Sequence, residues 1–335
     1  MAATCTPPAA GFPFVTTPPR PQQGRLRGMP AAVDFSLVSC VAALVAAAAA
    51  CLGAFLVRGS TAVPAAAWAC AAALALAAES AGRATGGLTE PAAFAAARLG
   101  VVALSMCPTM SLLGAKRPQH GVWQFIVASL AGILALPAVS ALLVRPGSMP
   151  DVHPLQQWFM PLLAAVGWMN FAATRHGLAA AIVTSGQLLL LRPFLPLAGE
   201  LDLGRIATTD AIGAVLLAVG SVAAVVQSAV WPVGGRRVSH PRVNDARLVA
   251  AVELPFLALR ETLGAAWTLR IAERFNATAA ARGWPCRLQF GGLEVGGDAG
   301  DRPWQADAIR TARALVRRFA SDDWLRRHGG EAENP

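Results

Sequence analysis

The sequence predicts an all-α polytopic membrane protein of about six to seven transmembrane helices, followed by a small α+β C-terminal cytosolic domain built as helix–hairpin–helix. Three observations carry this expectation. The chain is 55% hydrophobic and only 14% charged, against about 25% charged in an average soluble domain. Its charges are spaced so that long uncharged windows lie between them. Beyond Trp231 that pattern gives way to segments with a charged face. A helix of a soluble protein shows such a face every turn or two, and window after window here lacks one.

The windows are Phe35–Val57, Gly59–Ala78, Leu99–Ala115, Pro118–Val144, Val152–Thr174, His176–Leu191 and Ala211–Gly235. A spanning helix needs about 20 apolar residues. The first, fourth, fifth and last windows meet that length, and Leu99–Ala115 sits at the lower limit. Gly59–Ala78 is mostly alanine, which inserts weakly beside Leu, Ile, Phe or Val. His176–Leu191 is short, with Arg192 placed to snorkel at its end. The second and sixth are therefore the least secure spans. Ala42/Ala46/Ala50 and Gly213/Gly220 supply small faces on which helices can pack closely in lipid.

Residues 1–33 are rich in Pro, Thr, Gly and Gln and are expected to be a disordered tail. Met29 is an alternative start that would remove it. The run Phe35–Val57 exceeds the usual ~7–15-residue core of a signal peptide. The expected organisation is thus a tail at 1–33, a helical bundle at 34–231 and a C-terminal domain at 232–335.

Within the last of these, Leu259, Leu263, Trp267, Ile271 and Phe275 recur every four residues and predict one amphipathic helix starting or kinked near Pro255. Cys286 to Val295 predicts a hairpin turning on Gly291-Gly292, with Phe290 opposite Leu293 and Leu288 opposite Val295. Gln289 and Glu294 then share the polar face, and a lone hairpin is marginal unless it packs on a helix. A second helix is expected from Pro303 to near Phe319, with Ile309, Ala312, Val316 and Phe319 as its apolar stripe. Beside it, Arg310, Arg313 and Arg317 form a basic stripe that reads as a solvated face or as a contact with anionic lipid or an acidic partner.

Most of the net charge of +9 lies in the N-terminal tail and the region past Trp231, which suits anionic headgroups on either flank of an apolar block. No basic stripe interleaved with aromatics is present, so no nucleic-acid partner is expected. Counting basic residues near the spans favours a cytoplasmic C-terminus. Six spans give ten inside against six outside, and seven give eight against five from Met29 or a tie of eight from Met1.

Six cysteines are scattered without CxxC or Cys/His spacing and read as small hydrophobes. Met106, Cys107 and Met110 surround Pro108 and offer soft donors suited to copper(I), or a proline kink with packing sulfurs. The Cys107-Pro108 pair resembles that of metal-transporting ATPases in these two residues, and no phosphorylation-domain or Walker-type motif accompanies it. Asn170, Gln187 and Gln227 are polar groups inside spans, with Glu79 at a span end, and serve as pathway groups or as interhelical glue. His120, His153 and His176 fall at span ends rather than mid-bundle, against a haem site, and no cofactor is expected. Asn276-Ala-Thr278 matches a glycosylation sequon inside the expected helix.

No catalytic motif is recognisable. These features together lead to a non-enzymatic accessory or scaffold component of the cell membrane, in contact with the lipid bilayer and meeting a protein partner through its cytosolic domain. The alternatives are a small-solute or metal-ion transporter and, third, an intramembrane enzyme. Convergence of Asn170, Gln187, Gln227 and Cys107 on one cavity would favour transport, and a dry, fully packed bundle would favour the scaffold.

Overall fold

A computed structural model describes residues 30–114, 120–196, 203–230, 248–296 and 303–329. The expected tail up to residue 29, the four arginines at 236, 237, 242 and 247, and Lys116 and Arg117 lie outside the described residues.

The bundle contains α1 (Pro30–Leu56), α2 (Val63–Ala84), α3 (Pro91–Leu113), α4 (His120–Leu143), α5 (Pro154–Phe171), α6 (Gly177–Leu191, extended by a 3-10 turn at Arg192–Phe194) and α7 (Leu203–Val230). Proline opens α2, α3 and α5 in their first turn, where its missing N–H is no loss. Helices α1 and α2 pack along each other, α7 returns beside α1, and α6 lies on α7. Helix α3 joins α2 to α5 and α6, so six helices form a ring, and α4 flanks α3 from outside. Glycine sets the closest approach within the ring. A side chain at Gly220 would meet Val183 Cγ2 at 2.6 Å and the Ala179 carbonyl at 2.9 Å, and one at Gly186 would meet the Gly213 carbonyl at 2.7 Å. The small face at Gly213/Gly220 therefore serves α6–α7 packing within the chain.

Among the described residues, six helices are long and apolar enough to cross a membrane: the segments Phe35–Leu56, Val63–Ala84, Pro91–Leu113, Gly121–Leu143, Gly177–Phe194 and Ala207–Val230. The order of security differs from the expectation. Both doubtful windows qualify, the sixth because its 3-10 turn lengthens it, whereas α5 does not. Helix α5 has 18 residues and carries Gln156, Gln157 and Asn170 among its apolar ones. It nonetheless exposes Leu155, Trp158, Leu162 and Met169, as the spanning helices expose Leu, Val and Phe. Three helices also run past the windows drawn for them, through Glu79 and Arg83 in α2, Arg98 in α3 and Asp210 in α7.

The C-terminal unit contains a π turn at Val249–Glu253, then α8 (Leu254–Leu263), α9 (Ala265–Ala281), strands β1 (Cys286–Gln289) and β2 (Gly292–Val295), α10 (Trp304–Val316) and α11 (Asp322–Gly329). The single amphipathic helix of the sequence reading is two, because Gly264 breaks it at φ +80°. Leu259, Leu263, Ile271 and Phe275 are buried as their spacing implies. The hairpin forms with a different register: Leu288 pairs with Leu293 and Cys286 with Val295, so Phe290 and Gly291 make the turn. Arg260 fixes that choice, donating to the Phe290 carbonyl at 2.9 Å with its guanidinium 5.2 Å from the centre of the Phe290 ring. Gln289 still meets Glu294, donating at 2.5 Å.

Asn276 pins the hairpin to α9. Its amide donates to the Leu288 carbonyl at 2.8 Å and its Oδ1 accepts from the Leu288 N–H at 2.7 Å. The sequon residue is thus an internal clamp. Helix α10 buries Ala308, Ala312 and Val316, with Ile309 only partly covered. Of its basic stripe, Arg310 pairs with Asp307, and Arg317 donates to Asp322 at 2.7 Å. Helix α11, which the sequence reading did not foresee, inserts a fully buried Trp324.

Replacing Asn276 by alanine strands the Leu288 N–H and carbonyl and is expected to destabilise the C-terminal unit by about 1–3 kcal/mol. Hydrogen exchange at residues 286–295, compared between Asn276→Ala and wild type, measures it.

Candidate functional site

Two polar constellations lie at opposite ends of the ring, with an apolar cavity between. The first sits where α2 ends and α3 and α7 begin. Arg98 is 1% exposed, Asp210 1% and Glu79 4%. The Arg98 guanidinium donates to Glu79 Oε2 through Nε at 3.1 Å and Nη2 at 2.7 Å, and to Asp210 Oδ1 through Nη1 at 2.5 Å. Arg83 donates to the other oxygen, Asp210 Oδ2, at 2.8 Å and stands 4.0 Å from Glu79 Oε1. The Phe94 ring lies against both guanidinium groups, 4.4 Å from that of Arg83 and 5.3 Å from that of Arg98. Two cations and two anions cancel, which is what lets four charges reside in an apolar bundle.

The cavity occupies about 690 Å³ and is walled by α1, α2, α3, α5, α6 and α7. Its sides are small and apolar: Ala46, Ala50 and Gly53 from α1, Ala69 and Ala72 from α2, and Ala180 from α6. The volume exists because alanine and glycine hold helix backbones in place without filling the space between. Its lower lining, at Leu76 and Val101, stands one helical turn from Glu79 and Arg98.

At the other end the cavity meets the C-terminal unit, through Arg175, His176, Glu261, Arg327 and His328. The bundle and the unit are joined here by many polar contacts. Asn170 donates from Nδ2 to the Leu263 carbonyl at 2.9 Å and accepts at Oδ1 from the Ala266 N–H at 3.0 Å, so it bridges the break at Gly264. Glu261 Oε2 accepts from the Arg175 N–H at 3.0 Å, and its Oε1 accepts from Arg260 at 2.6 and 3.0 Å. Trp267 donates to the Leu112 carbonyl at 2.8 Å. The α1–α2 connection forms a bridge with the segment before α11: Thr61 donates to the Phe319 carbonyl at 2.8 Å and Ser321 to that of Gly59 at 2.7 Å.

His176 Nε2 accepts from Arg175 Nε at 3.2 Å, which leaves the proton on Nδ1, 3.2 Å from Gln227 Oε1. Burial and the neighbouring Arg175 charge lower its pKa below the ordinary histidine range. Burial also lowers that of His328, whose ring stacks on Trp324 at 4.1 Å and whose Nδ1 donates to the Trp324 carbonyl. Gln187 lines the cavity and donates to the Ser105 carbonyl at 2.8 Å, in the turn that Pro108 loosens.

The three amides singled out in the sequence therefore converge in part. Asn170 and Gln187 line the cavity, and Gln227 reaches its edge through His176. Met106, Cys107 and Met110 do not line it. They are buried in the apolar core, where Cys107 donates to the Ala103 carbonyl at 3.7 Å and Trp123 donates to the Met110 carbonyl at 2.9 Å. Among the described residues, no group of three or more His, Cys, Asp or Glu side chains is placed to hold a metal ion. The sequence reading missed the Arg98 cluster, although alternating span direction puts Glu79, Arg83, Arg98 and Asp210 at one end of the bundle.

Arg98→Ala leaves two buried carboxylates without their main partner and should lower stability by about 3–5 kcal/mol. Arg83, which keeps partial exposure, should matter less, and thermal unfolding of the two variants in detergent separates them. Both histidines bind protons more weakly folded than unfolded. Stability is therefore expected to be intact above the ordinary histidine pKa of about 6.5 and to fall as pH drops below it. A melting series from pH 8 to pH 5 should show that fall, reduced in His176→Gln.

No protein-family model, no curated protein and no solved structure matches the chain.

Proposed function

We propose that the chain is an integral membrane carrier for a small amphipathic solute, which sits in the bundle with its apolar part between α1, α2, α6 and α7. The observation that supports this reading is the cavity itself. Its volume, about 690 Å³, falls in the range of small-molecule sites, roughly 300–1,000 Å³. Its walls are mainly apolar, with a few hydroxyls and Gln187 among them, and its charged groups and histidines gather at the end facing the C-terminal unit. A polar head would meet Asn170, Arg175 and His176 there, while an apolar body would face alanine and glycine, with Gln187 deeper in the bundle beside Ser105. The sulfurs at 106, 107 and 110 lie elsewhere, so an organic solute fits this arrangement better than a metal ion does.

The C-terminal unit faces the cytoplasm in this reading. Seven helices put the start of α1 and the C-terminal unit at opposite ends. The count of basic residues shifts the same way once burial is considered. Arg83 and Arg98, which the loops on the outer side would otherwise contribute, are held inside the bundle by carboxylates. Arg175, screened to the same degree and paired with Glu261, leaves the inner count by the same rule, so from Met1 the seven-span tie becomes seven inside against six outside.

A second reading keeps the scaffold role of the C-terminal unit, supported by the exposed Arg310 on α10 and Arg317 just past its end. Arg310, Arg313 and Arg317 would contact anionic lipid or an acidic partner, at about 1 kcal/mol per charge. Their ion pairs with Asp307 and Asp322 reduce that attraction.

Protein purified in mild detergent and analysed by native mass spectrometry should carry one small amphipathic molecule. In Ala69→Phe/Ala180→Phe, which fills the cavity, occupancy should fall at least about tenfold, a loss of about 1.4 kcal/mol or more in affinity. Empty wild-type protein, or equal occupancy in the filled variant, contradicts the carrier reading.

A further inference from the structure

Cys51 on α1 and Cys70 on α2 stand with their sulfurs 3.2 Å apart. They are 19 residues apart in sequence and in different helices, so tertiary packing brings them together. Cys51 is exposed, as are Leu52 and Phe55 near it on α1, and Cys70 is partly exposed. Neither lines the cavity. Cys51 lies five residues before the end of α1, and Cys70 seven residues after the start of α2. At 1.5 Å per residue both are about 8–10 Å inside the same end of the bundle. The pair thus lies on the outer surface of two helices apolar enough to span a membrane, on the face that a bilayer would cover. Cys107 and Cys286, by contrast, are buried.

We propose that Cys51 and Cys70 form a lipid-facing dithiol that closes reversibly into an α1–α2 disulfide. A disulfide bond is about 2.05 Å long, so closure needs a displacement on the order of 1 Å, shared between two side chains. Two S–H bonds break and one S–S bond forms. The two electrons and two protons pass to a membrane-soluble quinone, which leaves as its hydroquinone. Charged water-soluble disulfides are excluded from hydrocarbon and react poorly at this depth. The bond ties together the two helices whose inner faces, at Ala50, Gly53, Ala69 and Ala72, wall one side of the cavity.

The test uses the full chain in lipid nanodiscs, reduced and then exposed either to duroquinone, whose ring carries no position for thiol addition, or to oxidised glutathione. Alkylation under denaturing conditions and peptide mass spectrometry follow. A linked Cys51–Cys70 peptide is expected, formed at least about tenfold faster with the quinone, removed by phosphine reduction, and accompanied by a higher unfolding temperature. Cys51→Ser should show neither the link nor the shift. Because mapping is done on wild-type protein, the result does not depend on the variant folding. Both cysteines alkylated after quinone exposure would overturn the dithiol assignment, and equal rates with the two oxidants would overturn the lipid-facing redox partner.

Discussion

The arrangement of the bundle depends on one buried arginine. Arg98 ties α3 to α2 through Glu79 and to α7 through Asp210, and it is almost wholly screened from solvent. An uncompensated charge in this position would be prohibitive, so the three helices must meet with a particular rotation and height. Apolar packing against alanine alone would leave those choices loosely specified. Close packing of small faces holds the helices together with little preference for register, whereas a guanidinium shared between two carboxylates fixes which faces meet. Phe94 and Arg83 complete the enclosure from the partly exposed side.

That constraint makes the cavity intelligible. With α2, α3 and α7 tied together at one end, small residues further along the same helices can leave space without collapse. The opposite end is held differently, by the C-terminal unit rather than by helix-to-helix pairing. Asn170, Arg175 and the α1–α2 connection each bond to backbone or side chains of that unit. Of the two ends, the second rests on neutral hydrogen bonds, one ion-pair cluster and two histidines with weakened proton affinity. It is the end more easily loosened.

Much of this fold was legible from hydropathy, and the reasons for the failures are specific. Charges served as boundaries of the spans, yet Glu79, Arg98 and Asp210 lie within helices because they neutralise one another. No rule that reads one segment at a time can see that cancellation. The topology offered a hint, since all of them fall at one end of the bundle when spans alternate in direction. Helix α5 misled in the other direction: its window lacks charge, but its amides make it less apolar than its length suggests. In the C-terminal unit, periodicity identified the buried faces of α8, α9 and α10, while Gly264 and the Arg260–Phe290 contact decided where elements broke and turned. The cavity was not legible, because alanine-rich faces describe a packed interface and a void equally well. Nor was the Cys51–Cys70 contact, which depends on the register between α1 and α2.

The most direct test of the account is a double-mutant cycle between Arg98 and Asp210, using Arg98→Met, Asp210→Asn and the pair, with unfolding free energies measured in one detergent. Each single change strands part of the network, while the double change removes both charges that face each other. The account predicts strong coupling, at or above the upper end of the roughly 0.5–3 kcal/mol seen for contacting residues, with the double variant losing much less than the sum. Losses that simply add would contradict it, and the register of α2, α3 and α7 would then have to come from apolar packing.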